Sequence, residues 1–285
     1  MDYGRLVKRA LEIMWKFKYL WVFGFFLEFG AGGGGWVGNL PEKIRLPVGD
    51  FLSGVLVGAI LILVMVGFVV FLLFLIMYLI SQGGLIHCVW QIENGKHPTL
   101  RDGWNAGIKN FWRVLGISIM VLIFILASAI VTIGPFIALI LAFKLIGVIS
   151  GIILFPLFLV LFLGIILIDL YATRACVIEE KGVFDSLADG WEMLKSNVVY
   201  SLVVGLIGIG STMVYVLGFV TVGLLLALPF VALGLINLFL GIFLGVIVGL
   251  IYIGVASALW GTYIDSVWTL AYLEMRKLNL QKVTA

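Results

Sequence analysis

The chain has 285 residues, of which 63% are hydrophobic and 12% are charged, and its formal net charge is +3. Soluble domains are about 45–50% apolar and about 25% charged, so this composition excludes an ordinary soluble domain. The small net charge gives no indication of a nucleic-acid partner. Charged side chains are absent from residues 51–92, 114–143, 145–168 and 196–264. Because a membrane-spanning helix needs about 20 apolar residues, these runs predict an all-α integral membrane protein.

The N-terminal segment, residues 2–21, reads DYGRLVKRALEIMWKFKYLW and predicts an amphipathic helix. At a period of 3.6 residues, its charged side chains fall mostly opposite one apolar face. That face consists of Leu6, Ala10, Met14 and Phe17. Basic residues continue through Lys18 without a short apolar core and a cleavage site, so we expect no cleaved signal peptide.

The first predicted span, near residues 19–38, contains one isolated charge, Glu28. Glu28 follows Lys18 by about 15 Å of helix and is therefore expected near the centre of the bilayer. An ionisable group at this depth is a functional hypothesis by default, and Lys144 is a candidate partner. The alternative is a protonated or hydrogen-bonded carboxyl group buried among helices.

TLRDGWNAGIKN, residues 99–110, is a polar segment that recurs further along the chain as SLADGWEMLKSN, residues 186–197. Both openings resemble capping boxes, so we expect Thr99 and Ser186 to cap the helices that follow. A short helix with tryptophan and basic side chains beside a span is typical of the headgroup region. The predicted interfacial lipid contacts are Trp15, Trp104, Lys109, Trp191 and Lys195. A site for one specific lipid or ligand is the alternative.

Two apolar connectors also recur, PFIALILAFKLIG at residues 135–147 and PFVALGLINLFLG at residues 229–241. They are too short to span a bilayer as helices at about 1.5 Å per residue. They are either half-helices folded back into the outer leaflet or extensions of the next helix. Irregular backbone at membrane depth needs partners from protein or water, which favours helical connectors packed on neighbouring spans. The corresponding connector nearer the N-terminus, NLPEKIRLPVGD, is polar and predicts an exposed external loop.

These recurrences divide a single transmembrane domain, residues 1–285, into internal repeats 1–95, 96–181 and 182–285. Each repeat reads as amphipathic helix, first span, connector and long second span. The six predicted spans lie near residues 19–38, 51–80, 111–133, 147–170, 198–222 and 241–264. GxxxG sequences, which allow close helix packing or oligomer contacts, open the second spans. They are Gly54/Gly58, Gly147/Gly151 and Gly241/Gly245.

The basic residues predict the orientation of the chain. Fifteen of the 18 Lys and Arg residues lie in the N-terminal segment, in 96–113, in 174–195 or in the C-terminal tail. Two spans per repeat place these four regions on one face, which the positive-inside rule makes cytoplasmic. Three crossings within 196–264 would break the repeat, so we reject that alternative. We predict a multi-pass protein of the cell membrane with both termini cytoplasmic.

Polar residues near the cytoplasmic ends of the long spans form a candidate intramembrane polar site. Its members on the second spans hold similar places in the three repeats. Around a pseudo-threefold axis they would act as a gate or a binding site. The alternative is a set of side chains that snorkel to the interface, because helices this long extend past the ~30 Å hydrocarbon core. The candidates are Glu28, Gln82, His87, Asp169, Arg174 and Asp265.

No enzyme signature is present, since the chain lacks HExxH, GxSxG and GxxxxGK[ST] sequences. We therefore expect neither catalysis nor a cofactor. His87, Glu93 and His97 loosely resemble metal ligands, but they do not form a closed set, and no metal site is predicted. Cys88 and Cys176 have no CxxC spacing and are expected to be free packing residues in a reducing cytosol.

KYLWVFGFF, residues 18–26, follows a basic amphipathic helix, and DGW-type segments precede later spans. This arrangement resembles a broad group of prokaryotic polytopic membrane proteins, some of which are similar to the membrane domain attached to glycerophosphodiester phosphodiesterases. The resemblance implies a multi-pass helical fold along the whole chain. The phosphodiesterase catalytic domain is absent from this sequence, so the resemblance does not imply that activity.

The sequence favours a non-catalytic membrane protein that organises lipid or partner proteins through its cytoplasmic surface helices. The expected partners are membrane lipids, with anionic headgroups as candidates, and the oligomeric state is left open. The alternative is a transporter, channel or lipid-handling protein that uses the pseudo-threefold interior. A continuous cavity that reaches Glu28 or Asp169 would favour this alternative, whereas a tightly packed axis would favour the first function.

Overall fold

The computed structural model describes residues 2–32 and 50–284, with side chains for residues 2–29, 58–143 and 148–281. Every regular element in these residues is helical. The helices are α1 (Tyr3–Lys16), α2 (Trp21–Gly32), α3 (Asp50–Glu93), α4 (Leu100–Ala142), α5 (Lys144–Glu179), α6 (Val183–Ser196), α7 (Val198–Ile236) and α8 (Leu238–Thr284). A short 3-10 turn, Lys18–Leu20, joins α1 to α2.

Five of these helices, α3, α4, α5, α7 and α8, are long and apolar enough to cross a membrane, counted over the described residues. The predicted all-α membrane class is therefore confirmed. The shortest of the five has 36 residues, or about 54 Å, so each exceeds the ~30 Å hydrocarbon core. Helix α2 has only 12 residues, and the rest of the predicted span 19–38 lies outside the described residues. The sixth span stays a prediction.

Two of the long helices, α3 and α8, expose their apolar side chains along one part and bury them along the other. In α8, Leu238–Val255 exposes most of its large apolar side chains, whereas Ala256–Met275 is largely buried. In α3, Ile60–Ile76 is exposed and Leu79–Ile92 is buried. The exposed stretch of α8 is about 26 Å long, close to the thickness of the hydrocarbon core. The rest of each helix packs against protein, in what we term the packed end. It consists of α1, α6, the start of α4 and the C-terminal parts of α3, α5 and α8.

Most of each apolar connector continues the preceding helix, and its last four residues begin the next helix, so neither connector is a separate half-helix. Pro135 lies inside α4 and Pro229 lies inside α7. Each hairpin then turns at a single residue, Phe143 or Asn237, before the next helix begins.

Near the hairpin tips, a Cβ atom at Gly151 would lie 2.6 Å from the Phe136 ring, so the two helices of the hairpin approach closely. Gly151, Gly241 and Gly245 pack helices within the chain, whereas Gly58 has open space around it. Gly54 and Gly147 lie outside the described side chains.

The polar segment 99–110 is the first three turns of α4 and not a separate surface helix. Thr99 closes a capping box: its hydroxyl oxygen accepts from the Asp102 backbone N–H at 3.3 Å, and its own N–H donates to the Asp102 carboxylate at 2.8 Å. The predicted cap at Ser186 is wrong. Helix α6 begins earlier because Gly182 takes the N-cap position, which leaves Ser186 buried inside the helix.

Three shorter segments, α2, the start of α4 and α6, each pack on a different long helix. Helix α2 contacts α8, the start of α4 contacts α3, and α6 contacts α5. A glycine mediates each approach, because a Cβ atom there would collide with a backbone carbonyl oxygen of the neighbouring helix. The three glycines are Gly24, Gly107 and Gly190. Between them, α3, α5 and α8 contact one another, so these helices form the centre of the packed end.

Candidate functional site

The centre of the packed end contains a fully buried arginine. Arg174 of α5 has no exposed side-chain surface, and its Nη2 donates to Asp265 Oδ1 of α8 at 2.6 Å. Its Nη1 donates to the Leu170 carbonyl oxygen at 2.8 Å. A buried charge is costly unless it is paired and hydrogen-bonded, so Asp265 supplies what this guanidinium requires. The pair joins two of the three central helices.

Asp169 lies beside this pair without joining it. Its Oδ1 accepts from the Thr173 hydroxyl at a long 3.5 Å, and it forms no ion pair with Arg174. Tyr78 of α3 interacts electrostatically with Asp169, Asp265, Arg174 and, more weakly, Glu28. Four helices therefore contribute to one polar region: α2, α3, α5 and α8.

Several buried polar atoms in this region have no hydrogen-bond partner among the described residues. They include Gln82 Oε1, Arg174 Nε and Asp265 Oδ2. Gln82 follows Tyr78 by one turn and therefore shares its face of α3. Two carboxyl groups lie near the single guanidinium here: Asp265 pairs with it, and Asp169 interacts with it electrostatically. The arrangement can hold a proton, a water molecule or a small cation.

Glu28 contacts α8 at Gly261, one turn before Asp265. Its Cγ atom lies 3.1 Å from the position that a Cβ would take at Gly261, where α2 and α8 cross closely. It is half-buried and forms no ion pair with any described residue. The side chain of its candidate partner, Lys144, lies outside the described residues.

His87 is separate from the other candidate residues. Its Nε2 forms a 2.8 Å hydrogen bond with the Gln91 amide nitrogen. It lines a polar cavity of about 270 Å³ at the packed end, together with Asp102, Lys109 and Glu180. Lys109 Nζ lies 2.5 Å from a Glu180 carboxylate oxygen, and this hydrogen bond lowers the pKa of Glu180. The predicted polar site is therefore divided between two places.

Only some of the predicted lipid contacts are exposed and unpaired. Trp15 and Trp191 are exposed by 57% and 55% and lie on α1 and α6, and Lys195 is exposed beside Trp191. Lys109 is exposed but paired with Glu180. Trp104 is partly buried against the hydrophobic core, so its indole is not presented freely to lipid.

Features of the packed end that the sequence did not predict include one exposed tryptophan and ion pairs between distant helices. Trp112 on α4 is 76% exposed, and its place beside Arg113 at the edge of a charge-free run was the available signal. Arg9 Nε donates to Glu93 at 2.7 Å. Arg276 pairs with Glu179, whose carboxylate also accepts from the Tyr272 hydroxyl at 2.7 Å. These pairs link helices far apart in sequence.

Comparison with profiles of known protein families, with curated proteins and with solved structures finds no match for this chain. Its function is therefore argued from its own residues. Within the described residues, no group of three His, Cys, Asp or Glu side chains is arranged to hold a metal ion. Cys88 and Cys176 are both buried and free.

Proposed function

We propose that this chain is a non-catalytic multi-pass protein of the cell membrane that organises lipid, or partner proteins, through its packed end. In this proposal both termini and the packed end are cytoplasmic, and six spans form three parallel repeats. The helix contacts support the repeats, because each repeat begins with a segment that packs on the long helix of another repeat: α1 on α8, the start of α4 on α3, and α6 on α5. The resemblance to phosphodiesterase membrane domains is part of the same proposal.

One observation carries the proposed role. Helices α1 and α6 bury their apolar faces against the protein and expose tryptophan together with lysine. Trp15 stands beside Lys16, and Trp191 stands one turn before Lys195. An exposed indole next to an ammonium group suits a headgroup layer that contains anionic lipid. These helices are therefore bound to the protein by one face and meet lipid with the other.

The proposal is tested in liposomes that contain a fluorescent anionic lipid. Energy transfer from the protein's tryptophans reports whether that lipid is enriched around the protein. We expect enrichment with the natural chain and a several-fold loss with Lys16→Glu/Lys195→Glu, because each basic residue near a charged surface contributes about 1 kcal/mol. Lys16→Arg/Lys195→Arg is the matched control. Equal energy transfer for the two double variants would refute lipid organisation by these helices.

A second candidate function, transport of a proton or small cation, is favoured by the polar region around Arg174. One carboxylate oxygen, Asp265 Oδ2, has no hydrogen-bond partner among the described residues, and Asp169 forms no ion pair with any of them. Flux of H⁺ and Na⁺ into proteoliposomes tests it. Transport requires that Asp169→Asn abolishes a flux that the exposed control Asp185→Asn retains. No flux above protein-free liposomes would exclude this function.

A further inference from the structure

A groove on the membrane side of the packed end lies between α1, α7 and α8. We propose that it binds one acyl chain of an anionic phospholipid, whose headgroup lies against the basic surface of α1. This inference rests on the proposed lipid-organising function and assigns that function a specific lipid site.

The groove has the dimensions of a site for a lipid tail. Its volume is about 700 Å³, and on α7 it extends from Ile207 to Val222. That distance is about 22 Å at 1.5 Å per residue, somewhat more than one leaflet of a ~30 Å hydrocarbon core.

The floor of the groove is a row of fixed aromatic rings. Tyr215 stacks on Trp260 with ring centroids 4.5 Å apart, and Phe219 stacks on Tyr252 at 5.1 Å. The Tyr252 hydroxyl donates to the Phe219 carbonyl oxygen at 2.7 Å, so its polar atom is satisfied within the protein. A preformed apolar floor lowers the entropy that binding must overcome.

Glycine gives the groove its open width. Gly210 and Gly218 of α7 both line it, and a Cβ atom added at either position would meet no protein atom within 4 Å. Larger side chains there would enter the groove and not a helix interface. These helices are apolar enough to lie in a bilayer, so the occupant with access to this space is a membrane lipid.

The charge at one end of the groove selects the headgroup. Val7, Leu11 and Met14 of α1 line this end. Lys8 is exposed beside Val7, and it forms no ion pair with the described residues. Arg9, by contrast, is paired with Glu12 and Glu93. A lysine without an acidic partner at the end of an acyl-sized groove favours a lipid with a negative headgroup.

The first test asks whether the groove retains lipid. The full chain is purified in mild detergent with phosphatidylglycerol, and native mass spectrometry counts the lipids that remain bound. We expect one retained lipid, and about tenfold less retention in Gly210→Leu/Gly218→Leu. Gly205→Leu is the control, because this glycine of α7 also has open space around it but does not line the groove. Equal retention in the filled variant and the control would overturn the proposal.

The second test concerns the headgroup. Phosphatidylglycerol and phosphatidylcholine with identical chains compete for the purified protein, and Lys8→Gln is compared with Lys96→Gln, which alters an exposed lysine that does not line the groove. We expect only Lys8→Gln to reduce the preference for phosphatidylglycerol. No preference for phosphatidylglycerol in the natural chain would overturn the anionic assignment. If Gly210→Leu/Gly218→Leu loses a dimer and not a lipid, the lipid site itself is overturned. Either failure would leave intact any lipid enrichment that depends on Lys16 and Lys195, so the two proposals fail separately.

Discussion

At the scale of single residues, the buried guanidinium of Arg174 requires a counter-charge and hydrogen-bond acceptors from its neighbours. A fully buried guanidinium is tolerated only with a charged partner and further acceptors, and Asp265 and the Leu170 carbonyl supply these. Asp169, five residues away on the same helix, does not pair with it. Five residues correspond to about 500° of helix rotation, so the two side chains leave α5 in different directions.

The first prediction follows from this pair. Asp265→Asn leaves Arg174 buried without a counter-charge, so the free energy of unfolding in detergent should fall by about 3 kcal/mol. The exposed control, Asp185→Asn, should change it by less than about 0.5 kcal/mol. The double variant Arg174→Met/Asp265→Leu should recover most of the loss, because it removes both charges. Equal effects of Asp265→Asn and the control would contradict the buried ion pair.

The residue types of the candidate site were predictable, but their grouping was not. The sequence identifies Asp169, Arg174 and Asp265 as polar residues in apolar surroundings. It does not identify which acid pairs with the arginine, because the pair is 91 positions apart and depends on how α5 and α8 meet. His87 lines a different cavity, with Lys109 of α4, and the sequence does not reveal this because it depends on how α3 packs against α4.

At the scale of elements, the existence of the long helices follows directly from the apolar runs, whereas their ends do not. Pro135 and Pro229 suggest breaks, yet each helix continues for seven more residues. A proline removes one backbone hydrogen bond, which a long helix that packs along its neighbour tolerates. Asn110 and Asn197 occupy matching positions in the polar segments, but α4 continues past the first while the helix breaks at the second.

A second prediction concerns the close approaches between helices. Gly24→Ala places a methyl group against the Ala258 carbonyl oxygen and Thr262, which are held within α8. The free energy of unfolding should fall by about 1–3 kcal/mol. Gly205→Ala should raise it by up to about 1 kcal/mol, because this glycine has open space and alanine favours helix. Stabilisation by Gly24→Ala would contradict the contact between α2 and α8.

At the scale of the whole molecule, burial and charge divide the chain in the same way. The described stretches that expose apolar side chains are nearly free of charge, and the described ion pairs all lie in the packed end. These helices are longer than the thickness of a bilayer. One end of each suits lipid, and the other end suits contact with protein and water. Composition alone predicts the apolar part. The packed end depends on contacts between distant segments, so the sequence pattern could only suggest it.

The central claim is that the α7–α8 hairpin crosses the bilayer and that the packed end faces the cytoplasm. Single cysteines at Lys195 and Asn237, in a chain with Cys88→Ala and Cys176→Ala, test it most directly. A membrane-impermeant thiol reagent applied to intact cells should label the cysteine at 237, which lies at the hairpin tip, and should leave 195 unlabelled until the membrane is opened. Labelling of 195 from outside, or of both positions from the same side, would contradict the account.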